Sequence, residues 1–160
     1  MKFKNKIILG TVQFGLYYGI NNHKGMPSKS EVSEILSYAF DTGVRFLDSA
    51  EVYGNSHNII GDFHKENPDK KFKIITKLPQ IIDDSIETKI ELYLSQLCVS
   101  KLHALLFHSF DTYKENQIFI DKLNHFKELG KINYIGVSIY TNEQFKVVIE
   151  DSNIDIIQLP

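Results

Sequence analysis

Two hydrophobic periodicities alternate along this chain, and that alternation limits its fold more than any single residue does. Short apolar runs stand at IILG (Ile7–Gly10), VRFLD (Val44–Asp48), FKIITK (Phe72–Lys77), ALLFHS (Ala104–Ser109), YIGVS (Tyr134–Ser138) and IDIIQLP (Ile154–Pro160). Runs of this length, bounded by turn-forming residues, fit buried parallel strands. Helical patterns lie between them. Val32, Ile35, Leu36, Ala39 and Phe40 make one apolar face, with a Ser28/Glu31 capping box before it and Gly43 as a stop after it. Ile86, Ile90, Tyr93, Leu94 and Leu97 make a second face. Phe119, Leu123, Phe126 and Leu129 make a third, ended by Gly130. Thr141 and Gln144 form another capping box ahead of Phe145, Val148 and Ile149, and a shorter helix is expected over about residues 55–64. The order is strand then helix five times, followed by a sixth strand. Strands separated by helices imply right-handed crossovers and a parallel sheet.

Bulk properties narrow the class without naming a function. The chain has 160 residues, enough for one domain with a sizeable core, and no linker or low-complexity stretch divides it. It is 42% hydrophobic and 24% charged with a net charge of -2, so nothing in its bulk electrostatics recruits nucleic acid or an anionic membrane. One cysteine, Cys98, excludes an internal disulfide framework; it is expected inside the second helix as a small apolar side chain. The N-terminal MKFKNKIILG is basic and then apolar, but its apolar run is far shorter than a secretory segment needs, so it reads as a first strand. No window approaches a membrane span, and a cytoplasmic protein is the expectation. Neither H-x-H nor HExxH occurs, so no metal site is expected.

An open doubly wound sheet and a barrel both satisfy the strand–helix order. A doubly wound nucleotide binder carries G-x-G-x-x-G or a P-loop after its first strand, where this chain reads LGTVQFGLYYG. A barrel instead sets its chemistry at the C-terminal ends of several strands. Here strand two ends in Asp48, strand three in Lys77, strand four in His108 and strand five in Ser138, while strand six carries Gln158. Tyr53 follows just beyond strand two. Singly, each has an ordinary reading: a cap, a loop aromatic, an interior histidine. Lys77 is the hardest to dismiss, because lysine seldom sits in an apolar strand without a partner.

Taken together, these residues resemble the aldo-keto reductase family. FLDSAEVYG (Phe46–Gly54) resembles the family signature, and the likeness runs from ILGTVQFG in strand one to IIQLP in strand six. The resemblance implies an α/β fold of the (β/α)8 TIM-barrel type, incomplete here with about six βα units. It implies a single aldo-keto-reductase-like domain over residues 1–160, truncated at its C-terminus, since such a barrel takes about 250 residues. The implied activity is NAD(P)H-dependent reduction of an aldehyde or ketone to an alcohol. The family's catalytic residues fall on Asp48, Tyr53, Lys77 and His108: Tyr53 as proton donor with its pKa lowered by Lys77, Asp48 holding Lys77, and His108 orienting the carbonyl. The resemblance sets Ser138 and Gln158 against the nicotinamide carboxamide, with Gly10 and Thr11 near the same end of the cofactor. Ile139 stands where the family often has Asn. The one arginine, Arg45, opens strand two, so the sequence does not choose between NADP(H) and NAD(H).

Two other readings stay open. One is a non-catalytic half-barrel that associates through its open sheet edges, forming a homo-oligomer. The other is a Schiff-base lyase using Lys77. The expected partner is a small-molecule carbonyl, and the polar, aromatic loop YYGINNHKGMPS (Tyr17–Ser28) suggests a sugar-derived one.

Overall fold

In a computed structural model that describes residues 6–83 and 85–159, the chain folds as the alternating periodicities require. In order, the elements are β1 (Ile8–Gly10), the single-turn α1 (Val12–Gly15), α2 (Lys29–Asp41), β2 (Phe46–Asp48), α3 (Ser56–Glu66), β3 (Lys73–Lys77) and α4 (Ile86–Leu97). Then come β4 (Leu102–Phe107), α5 (Phe110–Glu115), α6 (Ile120–Glu128), β5 (Ile132–Ser138), α7 (Asn142–Val148) and β6 (Ile156–Gln158). All six strands are parallel and lie side by side in chain order. A doubly wound sheet reverses its order at a switch point; this one never does. It curls into part of a (β/α) barrel.

The register sets neighbouring strand ends within two residues of each other. Gly10 lies opposite Asp48, Lys77 opposite Leu106, and Ser138 opposite Gln158. Alternation along each strand then sorts the side chains. Leu47, Ile74, Leu105, Ile135 and Val137 join the helices in the main core. Ile75, Ala104 and Leu106, with Ile156 against them, make a separate small cluster. Two residues further along β3, β4 and β6 from that cluster stand Lys77, His108 and Gln158. Polar groups therefore continue the inner face where its apolar layer stops.

Both capping boxes form, Ser28 with Glu31 and Thr141 with Gln144. All five apolar residues expected on α4 are buried. On α2, Val32, Leu36 and Ala39 are buried but Ile35 is exposed; Leu129 and Ile149, at helix ends, are exposed too. The structure adds α1 and α5, which span four and six residues and are too short to show a helical period. Cys98 is a correction: α4 stops at Leu97, and Cys98 caps it in the left-handed region at φ 52°. Residues 1–5 and Pro160, the ends of the basic lead and of the sixth apolar run, lie outside the described residues. Among those described, no helix is long and apolar enough to cross a membrane.

Helices α3 and α4 meet at Gly61, where an added Cβ would stand 1.8 Å from the Gln96 carbonyl oxygen. Backbone cannot swing aside as a side chain can. Gly61→Ala is therefore expected to separate the two helices and cost about 1–3 kcal/mol by overpacking, or roughly 2–12 °C in Tm. An unchanged Tm in calorimetry would refute this contact.

Two buried histidines tie the same layer. The Phe72 N–H donates to His64 Nε2 at 3.1 Å, while His64 Nδ1 lies 2.8 Å from the Leu97 carbonyl oxygen. A ring that accepts at Nε2 is neutral, and protonation would break that bond. His57 Nε2 lies 2.8 Å from Thr76 Oγ1. Burial pushes both imidazoles below their ordinary value of 6.5. The unfolded chain then binds more protons than the folded one as pH falls below about 6.5, so stability declines in that direction. Tm is expected to fall between pH 7 and pH 5, before the carboxylates titrate; a flat profile there would contradict it.

Candidate active site

Asp48 closes β2 and Lys77 closes β3, on neighbouring strands and the same face. The Lys77 Nζ donates to Asp48 Oδ1 at 2.5 Å and to the Ser49 carbonyl oxygen at 3.2 Å. The pair is largely out of water: the Lys77 side chain is 6% exposed and that of Asp48 20%. His108 stands one residue beyond β4. Its ring centroid is 6.5 Å from that of Tyr53, edge to face, and Lys77 Nζ lies 5.7 Å from the Tyr53 ring. Asp48, Tyr53, Lys77, His108, Ser138 and Gln158 line one cavity of about 170 Å³, with Tyr140 and Leu159 at its rim.

Electrostatics correct one expectation. The Tyr53 phenol is not lowered by its lysine neighbour; burial first, and then the Asp48 carboxylate, raise it above the ordinary tyrosine value. The reason is geometric. Lys77 is already engaged by Asp48, so the pair presents Tyr53 with little net positive charge. Tyr18 and Tyr140 also contribute to the rise. Tyr53 is thus protonated throughout the neutral range. Burial and the Lys77 charge lower the His108 imidazole, outweighing the opposing pull of Asp48, so that ring is neutral near pH 7.

The other sequence candidates divide. Gly10 ends β1, and a Cβ built there meets nothing within 4 Å, which leaves its backbone open to an approaching group. Thr11 is buried, and its hydroxyl is committed: Oγ1 donates to the Asp48 carbonyl oxygen at 3.0 Å and accepts from Ser56 Oγ at 3.0 Å. It joins the ends of β1 and β2 and does not line the cavity. Gln158 Oε1 is buried with no hydrogen-bond partner among the described residues, and so is His108 Nδ1. Ile139 is buried in the main core, and its N–H donates to the Gln158 carbonyl oxygen at 3.0 Å. Tyr140 was not among the candidates; its only sequence signal was an aromatic two residues beyond a strand end.

A parallel sheet that curls, with a buried ion pair, a phenol, an imidazole and an amide converging where its strands end, has the layout of a (β/α) barrel, in which such groups gather at the C-terminal face. The chain belongs to the aldo/keto reductase family, whose sequence model matches residues 6–159. The Glycine max protein named Probable aldo-keto reductase 1 is 30% identical over 117 residues, 65% of this chain and 34% of that protein. Among solved structures, an aldo-keto reductase of Pseudomonas aeruginosa superposes with a TM-score of 0.75 at 24% identity, over 95% of this chain and 61% of that one. The aldo/keto reductase of Klebsiella pneumoniae in complex with NADP and acetate gives 0.67 at 19% identity, over 94% of this chain and 52% of that one. The chain thus spans about a third of the curated relative and some three fifths of the first of these solved chains.

Proposed function

We propose that this chain carries the proton-delivery apparatus of an NAD(P)H-dependent carbonyl reductase that converts an aldehyde or ketone to an alcohol. One observation carries the reading: a phenol, a neutral imidazole and a buried lysine–aspartate pair share a single small cavity at the strand ends. Reduction of a carbonyl leaves a developing alkoxide that needs a proton. Tyr53 is held protonated and supplies it from its hydroxyl. Asp48 holds Lys77 in place beside the Tyr53 ring, and the pair orders the site in which the phenol gives up its proton. The neutral His108 imidazole donates a hydrogen bond that orients and polarises the carbonyl oxygen.

The residues fit a nicotinamide. Its carboxamide brings an N–H donor that suits the buried Gln158 Oε1, which has no partner among the described residues, with the Ser138 hydroxyl alongside in the same cavity. Ile139 faces the core, so Ser138 and Gln158 would hold the carboxamide without it. Gly10 would let the ring approach the end of β1. When bound, NADP(H) or NAD(H) supplies the hydride. The cavity, at about 170 Å³, is smaller than pockets that enclose a whole ligand, typically about 300–1,000 Å³, and has room only for the reacting ends.

A second reading, a non-catalytic half-barrel that self-associates, draws on the sheet edges: among the described residues β1 pairs only with β2 and β6 only with β5, and Ile8 is 49% exposed. One titration separates the two. NADPH, and separately NADH, is expected to raise the Tm of the 160-residue chain, by the equivalent of about 2.7 kcal/mol at a hundredfold excess over Kd. No shift with either cofactor, together with a concentration-dependent dimer in sedimentation, would favour the second reading.

A further inference from the structure

The segment from Ser49 to Asn55 carries Tyr53 and has no regular secondary structure, yet it is tied at its start, middle and end. At the start, the Ser49 N–H donates to the Ile75 carbonyl oxygen at 2.8 Å. At the end, Gly54 (φ 56°) lies against Gly15: a Cβ on Gly15 would stand 1.9 Å from the Tyr53 carbonyl oxygen. The middle is held by Glu51. Its N–H donates to the Lys77 carbonyl oxygen at 3.2 Å, and its carboxylate reaches α4. There Oε1 accepts from Lys89 Nζ at 2.9 Å, and Oε2 accepts from the Tyr93 hydroxyl. Tyr93 is 1% exposed and its ring packs edge-on to His57, which in turn bonds Thr76, the residue before Lys77.

These contacts differ in weight. Lys89 and Glu51 are both partly exposed, and such an ion pair contributes little on its own. The Tyr93 hydroxyl lies in the protein interior, and losing Glu51 would leave it without this partner. Val52, between Glu51 and Tyr53, is exposed and anchors nothing inward. The side-chain bracing of the Tyr53 loop against α4 therefore passes through Glu51 and Tyr93.

We infer that Glu51 and Tyr93 are positioning residues: their hydrogen bond braces the loop against α4 and holds the Tyr53 hydroxyl in line with Lys77 and His108. Neither lines the cavity, and both act through Tyr53. The inference rests on the proposed role of Tyr53 as proton donor.

The test uses the full chain labelled with tyrosine carrying ¹³C at Cζ, the Tyr53 signal being identified by its loss in Tyr53→Phe. The titratable groups around that phenol are Asp48, Lys77, His108, Tyr18 and Tyr140, and none is changed by the variants. Tyr93→Phe removes one oxygen and keeps the buried ring. The expected result is a Tyr53 signal shifted at pH 7 toward that of a solvated tyrosine, with its titration midpoint moved down as the loop swings from its buried seat. Glu51→Ala is expected to do the same, and Glu51→Gln, which keeps an acceptor for Tyr93, to restore the parent signal. In turnover, Tyr93→Phe is expected to lower kcat about tenfold to a hundredfold with KM for the carbonyl unchanged. A lowered Tm with an unmoved Tyr53 signal would overturn the inference and leave the contact purely structural. If the parent chain shows no turnover under any condition, the proton-donor reading fails, while the Tyr53 signal still decides whether the brace exists.

Discussion

Tyr53→Phe is expected to bind nicotinamide cofactor as the parent does and to lose carbonyl reduction by about 10²- to 10⁴-fold, the usual range for a positioned proton donor. The substitution removes one oxygen and leaves the ring that stands edge-on to His108. Binding and chemistry therefore separate cleanly: the thermal shift with NADPH should persist while turnover disappears. The pH profile adds a second check. Because burial and Asp48 hold the phenol above its ordinary value, proton supply should be lost only on the alkaline side. A variant that reduces carbonyls within threefold of the parent would refute the assignment of Tyr53, whatever its cofactor affinity.

Lys77→Met is expected to be among the most destabilising single changes at the site. Lys77 is 5% exposed, and its removal leaves Asp48 mostly buried without its ammonium. Removing one partner of a buried pair costs about 3–5 kcal/mol. The residual exposure of Asp48 argues for the lower end, a fall of roughly 6–12 °C in Tm for a chain of this size. Lys77→Met combined with Asp48→Asn should recover part of the loss, because no uncompensated charge is left behind. Equal destabilisation in the single and double variants would mean that packing of the lysine stem, not charge, is what β3 needs.

The same pair shows where reading from the sequence stops. Lys77 within FKIITK signalled a buried lysine in need of an anion, and Asp48 at the end of VRFLD was the obvious donor of one. That they would meet at 2.5 Å followed from neighbouring parallel strands whose register sets Asp48 beside Ile75, two residues before Lys77 on the same face. The consequence for Tyr53 did not follow. Proximity of an ammonium suggests a lowered phenol, but an ammonium already paired has little charge to lend, and burial then dominates. Thr11 shows the converse case. The family resemblance set it near the cofactor, and its hydroxyl is committed to Asp48 and Ser56, 37 and 45 residues away. Glu51 lay inside the quoted signature and carried no signal, because its partners, Lys89 and Tyr93, are 38 and 42 residues away.

What the sequence determined by itself is the order of elements, the parallel sheet and the groups brought to its strand ends. Hydrophobic period and helix caps are local: each reports on its own few residues, and the polar residue that closes an apolar run marks where the strand stops. Tertiary structure alone decided which polar groups are spent on one another and which stay available to a ligand. Thr11, Ile139 and Glu51 turned to the scaffold, while Tyr53, His108 and Gln158 face the cavity. That division depends on distances of a few tenths of an ångström between segments far apart in the chain, and on the loss of water that makes each such choice costly to reverse.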